Sequence, residues 1–126
     1  MTWENFTKEE FACHHCGRNE VKDEFIDVLQ EIRDEVGFAM HVNSGYRCPE
    51  HPIEAAKSSP GSHTLGLVAD IGCSHRAAFR ILKAAMAHPK VTGVGVNQKG
   101  PQEQRYIHIG IDPEAPGKPR PHLWSY

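Results

Sequence analysis

From Lys22 to Val36 the apolar residues Phe25, Val28, Leu29, Ile32 and Val36 recur at helical spacing, and Gly37 follows as a stop. The pattern predicts a helix over this stretch. A second helix is predicted after Ser74 as its cap, with Ala77, Ala78, Ile81, Leu82 and Ala85 forming a small-residue stripe suited to packing on a sheet. Pro89 ends it. Thr7 followed three residues later by Glu10 has capping-box spacing and predicts a short helix near the start.

Between the helices the period changes. "FAMHVNSGYR" reads as a strand entering a turn at Ser44 and Gly45, and Leu67 to Gly72 reads as a buried strand. "VTGVGV" is a short strand loosened by glycine, followed by the polar loop "NQKGPQEQ". In "RYIHIGID" Ile107, Ile109 and Ile111 fall on one face, with Tyr106, His108, Gly110 and Asp112 on the other. Cys48 to Gly61, with three prolines and a double serine, reads as an excursion over the surface. The closing "PEAPGKPRPHLWSY" is rich in proline but ends in Trp124 and Tyr126, so the tail is expected to pack down. The expectation is an α+β fold, a single domain over residues 1–126 with helices against a small, mostly antiparallel sheet.

Composition adds limits more than detail. A chain of 126 residues, 39% hydrophobic and 24% charged, is long enough for one real core. A net charge of -2 and a pI near 6.5 give no electrostatic case for nucleic acid or an anionic membrane as partner. The apolar runs are too short to span a bilayer, and "MTWENFTKEEF" lacks the basic and apolar regions of a signal peptide. Synthesis in the cytoplasm and a monomeric state are the expectation. Nine histidines raise the interest of metal chemistry without locating it.

The cysteines are Cys13, Cys16, Cys48 and Cys73. "CHHC" has the spacing of half a zinc site, but no second CxxC or HxxxH completes it. Cys48 and Cys73 could supply the other two ligands, or pair as a disulfide; the simpler reading of the half-site is plain core cysteines.

Asp70 poses the sharper question. It ends the apolar run Leu67-Val68-Ala69, where an unpartnered carboxylate would be costly, so it should neutralise, pair or bind a cation. His63 precedes it in a loop, and His108 lies on a later strand opposite the isoleucines. Catalytic zinc takes three protein ligands of these types and keeps a fourth position open. A lone strand histidine is more often a surface or hydrogen-bonded residue, and a lone strand-end aspartate usually meets an amide or an arginine. Spacing alone leaves the matter open.

The neighbouring residues carry more. "SGYR" at Ser44 to Arg47, "SHTLGLVAD" at Ser62 to Asp70 and "YIHI" at Tyr106 to Ile109 occur in this order. Together they resemble the zinc D-Ala-D-Ala peptidase family of peptidoglycan hydrolases, which shares its metal site and fold with hedgehog and lysostaphin-type proteins. The flanks "FTKEEFACHHCG", "LQEIRDEVG" and "RPHLWSY" look like those of phage-encoded members, so the likeness spans nearly the whole chain. It implies a hedgehog-like fold and one catalytic zinc held by His63, Asp70 and His108.

Further roles follow from the same resemblance. Arg47 matches the arginine that holds a substrate carboxylate, although a salt bridge to an acidic neighbour would also explain it. Ser62 matches a serine that contacts substrate, or caps its own turn. Gly66 lets the backbone swing between two ligands. The expected reaction is hydrolysis of an amide in stem or cross-link peptides of bacterial peptidoglycan, with D,D-carboxypeptidase or endopeptidase action favoured and a phage lysin released through a holin-made pore as the setting.

The general base breaks the pattern. Relatives carry an acid three residues before the last histidine, here Arg105, or two after it, here Gly110. Glu103 is the candidate base. Asp112 lies about 13 Å along a straight strand, too far without a bulge, while His51 and His122 are expected at the surface. The missing acid keeps a second reading open, a metal-bearing binding domain of the same fold that has lost catalysis.

Overall fold

The computed structural model describes residues 3–57 and 61–126. Ser58 to Pro60 of the predicted surface excursion lie outside the described residues. A 3₁₀ turn, Lys8–Phe11, follows Thr7, whose backbone N–H donates to Glu10 Oε2 at 2.6 Å as capping-box spacing requires. Helix α1, Asp23–Val36, closes on Gly37 in the left-handed conformation that glycine adopts cheaply. Strand β1 is His41–Ser44, and the excursion contains a single turn, α2, Pro52–Ala55. Another 3₁₀ turn, Ser62–Leu65, leads to β2, Val68–Gly72. Helix α3 is His75–Ala87, β3 is Gly93–Asn97, and β4 is Tyr106–Gly110. Ser74 holds the N-cap position of α3, but its hydroxyl makes no capping bond; its carbonyl takes the Ala78 N–H instead.

The tail does pack down, and it does so as a strand. β5, His122–Ser125, pairs in parallel with β3, giving a sheet in the order β1-β2-β4-β3-β5. The other three pairings are antiparallel. The fold is α+β, with a mixed sheet.

Helices α1 and α3 cover one face. Phe25, Val28, Leu29 and Ile32 of α1 and Ala78, Ile81 and Ala85 of α3 join Ala69, Ile71, Val94, Ile107 and Ile109 of the sheet in one buried cluster. Each large side chain so buried contributes about 1.5–3 kcal/mol. Because strand residues alternate, the neighbours of these sheet positions point to the opposite face. There the register lines up Ser44, Asp70, His108, Gly95 and Trp124 in one row across all five strands.

The cysteines divide differently from the options the sequence offered. Cys73 follows β2, its thiol donating to the Ile71 carbonyl at 3.3 Å. Cys48 lies with Cys13, so no Cys48–Cys73 disulfide forms and Cys73 does not complete the CHHC pair. Cys16 is exposed, which rules out the reading of both CHHC cysteines as core.

Candidate metal centre

Strand pairing makes the first half of the site. Asp70 of β2 and His108 of β4 are direct partners, and His108 Nδ1 lies 3.0 Å from Asp70 Oδ1. The second half comes from the 3₁₀ turn that carries His63. That turn ends at Gly66, φ +73°, where a Cβ would collide with the Glu20 carbonyl. Only glycine passes there without strain. The chain then reverses into β2, which brings His63 Nε2 to 3.4 Å from the same Asp70 oxygen.

The tautomer of His63 is set from outside. Its Nδ1 lies 2.7 Å from the Gly45 carbonyl, which can only accept, so Nδ1 carries a proton, and in the neutral imidazole Nε2 is the free nitrogen that faces Asp70. Arg47 N–H donates back to the His63 carbonyl at 3.0 Å, closing a two-way clasp between the SGYR loop and the His63 turn. The loop is pressed from behind. Tyr46 N–H donates to the Phe11 carbonyl at 2.8 Å, and a Cβ at Gly45 would lie 2.7 Å from Phe11 Cα.

All three side chains are buried. Burial alone would raise the Asp70 carboxyl, but hydrogen bonding and charge from His108 and His63 outweigh it and hold Asp70 far below the usual carboxylate range. Burial lowers His108 against the opposing pull of Asp70, which favours the neutral imidazole. Two imidazole nitrogens and a carboxylate oxygen, all within 4.8 Å of one another, form a donor set of the kind zinc takes. His108 Nε2 is buried without a hydrogen-bond partner, against the Trp124 indole at 5.2 Å between ring centres. That orphaned nitrogen fits an imidazole whose orientation serves its other nitrogen. The residues fit a metal ion.

Arg47 reaches the outer side of the carboxylate. Its NH2 group is 3.6 Å from Asp70 Oδ2, its NH1 3.2 Å from Glu54 Oε2, and its Nε donates to Ser44 Oγ at 3.2 Å. The salt bridge weighed for Arg47 is therefore present, to two acids, and it points the guanidinium at the site. Glu54 escaped the sequence reading. It is completely buried and also takes Lys57 at 3.1 Å and the Gly61 N–H at 2.7 Å. A lone glutamate seven residues past Arg47 in a proline-rich segment carries no periodic signal.

Asp112 departs from expectation. β4 ends at Gly110, with one further bond in its register from Ile111 N–H to the Leu67 carbonyl, so Asp112 lies beyond the strand. The Asp112 carboxylate folds back until Oδ1 lies 2.5 Å from where a Cβ on Gly110 would stand. An acid absent at Gly110 thus arrives in that space from Asp112. Its Oδ2 accepts from the Ser62 hydroxyl at 3.1 Å, Arg120 at 3.1 Å and Lys118 at 3.0 Å. Ser62 hence neither caps its own turn nor stands free; the turn has no side-chain cap, and the Thr64 hydroxyl donates to the Gly61 carbonyl at 2.7 Å. Burial would raise Asp112, but bonding to Lys118 and the charges of Arg120 and Lys118 keep it below its usual value.

Glu103 is not brought to the three donors. It sits exposed on a 3₁₀ turn, Gln102–Gln104, lining a cleft with His41, Asn43, Gly72, Ser74 and Arg105. His51 Nδ1 accepts the Ile53 N–H and so caps α2, and His122 stacks on Trp124. The sequence marks Trp124 only as an anchor for the tail. Through β5 it instead forms a wall of the site, and Gly95 makes the room, since a Cβ there would lie 2.6 Å from Trp124 Cε2.

A search of curated proteins found no match. The sequence profile described as Peptidase M15 matches residues 4–110, a span that contains the His63, Asp70 and His108 cluster and the SGYR loop behind it. The chain belongs to the peptidase M15 family of zinc-dependent metallopeptidases.

Proposed function

We propose that this metallopeptidase hydrolyses peptide bonds of bacterial peptidoglycan, those containing D-alanine in stem or cross-link peptides, as an endolysin or a wall-remodelling enzyme. The observation that carries the reading is the convergence of His63 Nε2 and His108 Nδ1 on one oxygen of Asp70. Zinc held there supplies Lewis-acid polarisation of the scissile carbonyl and acidifies water. Asp70 contributes the anion and both imidazoles remain neutral donors, His63 fixed by Gly45 and His108 by its strand register. Arg47 keeps N–H groups beyond those used by Glu54, Asp70 and Ser44, and these take the substrate carboxylate.

Two carboxylates contend for proton transfer. Asp112 is held ionised by two cations and fully buried, which suits a positioning role through Ser62 better than proton exchange. Glu103 makes no hydrogen bond or ion pair among the described residues, and we assign it the base, reached by movement of its turn. The enzyme acts at the wall after release from the cytoplasm, as a monomer of one catalytic domain.

The test is a mass-spectrometric digest of purified peptidoglycan by zinc-loaded protein, beside chelated protein and His63→Ala. Zinc-dependent peptide release by the wild type alone is expected, with product masses naming the bond. Glu103→Gln should lower turnover by about 10²–10⁴; unchanged turnover moves the base to Asp112. Intact wall of every cross-link type, with zinc bound, favours instead the catalytically inactive binding domain, a reading that draws on the absence of an unpaired carboxylate beside the cluster among the described residues.

A further inference from the structure

A second cluster of metal-binding side chains lies away from the His63 site. The sulfurs of Cys13, Cys16 and Cys48 are all within 4.8 Å of one another. Cys13 to Arg18 forms a tight loop in which Cys13 N–H donates to the Arg18 carbonyl at 2.7 Å and Gly17 N–H to the Cys13 carbonyl at 2.8 Å. Gly17, at φ +77°, permits the turn. Backbone N–H groups face the Cys13 sulfur, with Cys48 N–H at 3.4 Å. Burial would raise that thiol, but the N–H groups of Cys48, Cys16 and His15 outweigh it and bring it down to about 7.

The spacings exclude a disulfide and suit a metal. Cys13 and Cys48 sulfurs are 3.7 Å apart. A disulfide needs about 2.05 Å. Two thiolates bound at about 2.3 Å to one tetrahedral zinc lie roughly 3.8 Å apart. His15 Nδ1 is 3.7 Å from Cys48 Sγ, near the corresponding sulfur–nitrogen edge. His51 is less available, since its Nδ1 already accepts from Ile53.

We propose that Cys13, Cys16, Cys48 and His15 form a closed structural zinc site. With four protein ligands it leaves no position for substrate, so its role is mechanical. Cys48 directly follows Arg47, and Phe11, two residues before Cys13, holds Tyr46 through its carbonyl. The ion staples the N-terminal segment to the loop that aims Arg47 and fixes His63. The site stands whether or not the wall is the substrate.

The test is metal counting and cobalt spectroscopy on the full chain under reducing conditions. Wild type loaded with zinc and desalted should carry about two ions, and both His63→Ala and Cys16→Ser about one. Cobalt-loaded His63→Ala should show a thiolate-to-cobalt charge-transfer band, lost in Cys16→Ser and weakened in His15→Ala. A band insensitive to His15 but lost in His51→Ala overturns the ligand set. One ion per wild-type chain with four titratable thiols, or no charge-transfer band in His63→Ala, overturns the site. Because the His63→Ala spectrum needs no cysteine variant, misfolding of Cys16→Ser leaves the proposal falsifiable.

Discussion

Glu54 shows how much a single side chain can carry. It is wholly buried, and two cations and one amide converge on it. Burial would raise its pKa, but the Gly61 N–H, Lys57 and Arg47 outweigh that and hold it below the usual glutamate value. The unfolded chain therefore binds the proton more readily. The stability Glu54 contributes is complete above about pH 4.3 and is lost as pH falls through the lower folded value. Glu54→Gln should cost about 3 kcal/mol at pH 7 and lower kcat/KM by releasing Arg47. Urea unfolding of both proteins from pH 7 to pH 3 should show the gap shrinking on acidification; a gap constant with pH would contradict the ion-pair account. Residues of this kind were illegible in the sequence. His63, Asp70, His108 and Arg47 stood in recognisable words, whereas Glu54 and Trp124 reach the site by routes that leave no local pattern.

Among the elements, the 3₁₀ turn Ser62–Leu65 and its closing Gly66 are the joint between two candidate metal donors, His63 and Asp70. A side chain at Gly66 meets both left-handed backbone strain of roughly 1–2 kcal/mol and the Glu20 carbonyl. Gly66→Ala should lose at least about 2 kcal/mol and weaken zinc binding together, because the turn that aims His63 must shift. Thermal melts with and without zinc measure both; full zinc affinity in a destabilised variant would show that the turn and the ligand are independent. The helices and β1 to β4 were legible because their periods are clean. The alternation runs two residues past the end of β4 because Ile111 and Asp112 keep its period beyond Gly110. β5 was masked by the prolines that precede it, although only its backbone pairing with β3 was required to make it a strand.

Taken whole, the molecule separates what folds it from what it does. The cluster holding Phe25, Leu29, Ile71, Ile107 and Ile109 lies on one face of the sheet and the metal donors on the other. Chelated protein should accordingly keep its far-UV dichroism, while zinc at about 1,000 times the Kd of the His63 site adds roughly 4 kcal/mol to unfolding through that site. Collapse of the dichroism on chelation would mean the core depends on metal. The site itself has no local nucleus. His63 meets Gly45 across 18 residues, Asp70 meets His108 across 38, and Ser62 meets Asp112 across 50. Contacts so distant in sequence carry loop-closure entropy that must be met before they stabilise anything, so they form late. A growing chain that has not yet emerged beyond His108 lacks one of the three candidate donors. Peptidase activity consequently appears only with the nearly finished fold, and in refolding it should recover no sooner than the pairing of β2 with β4.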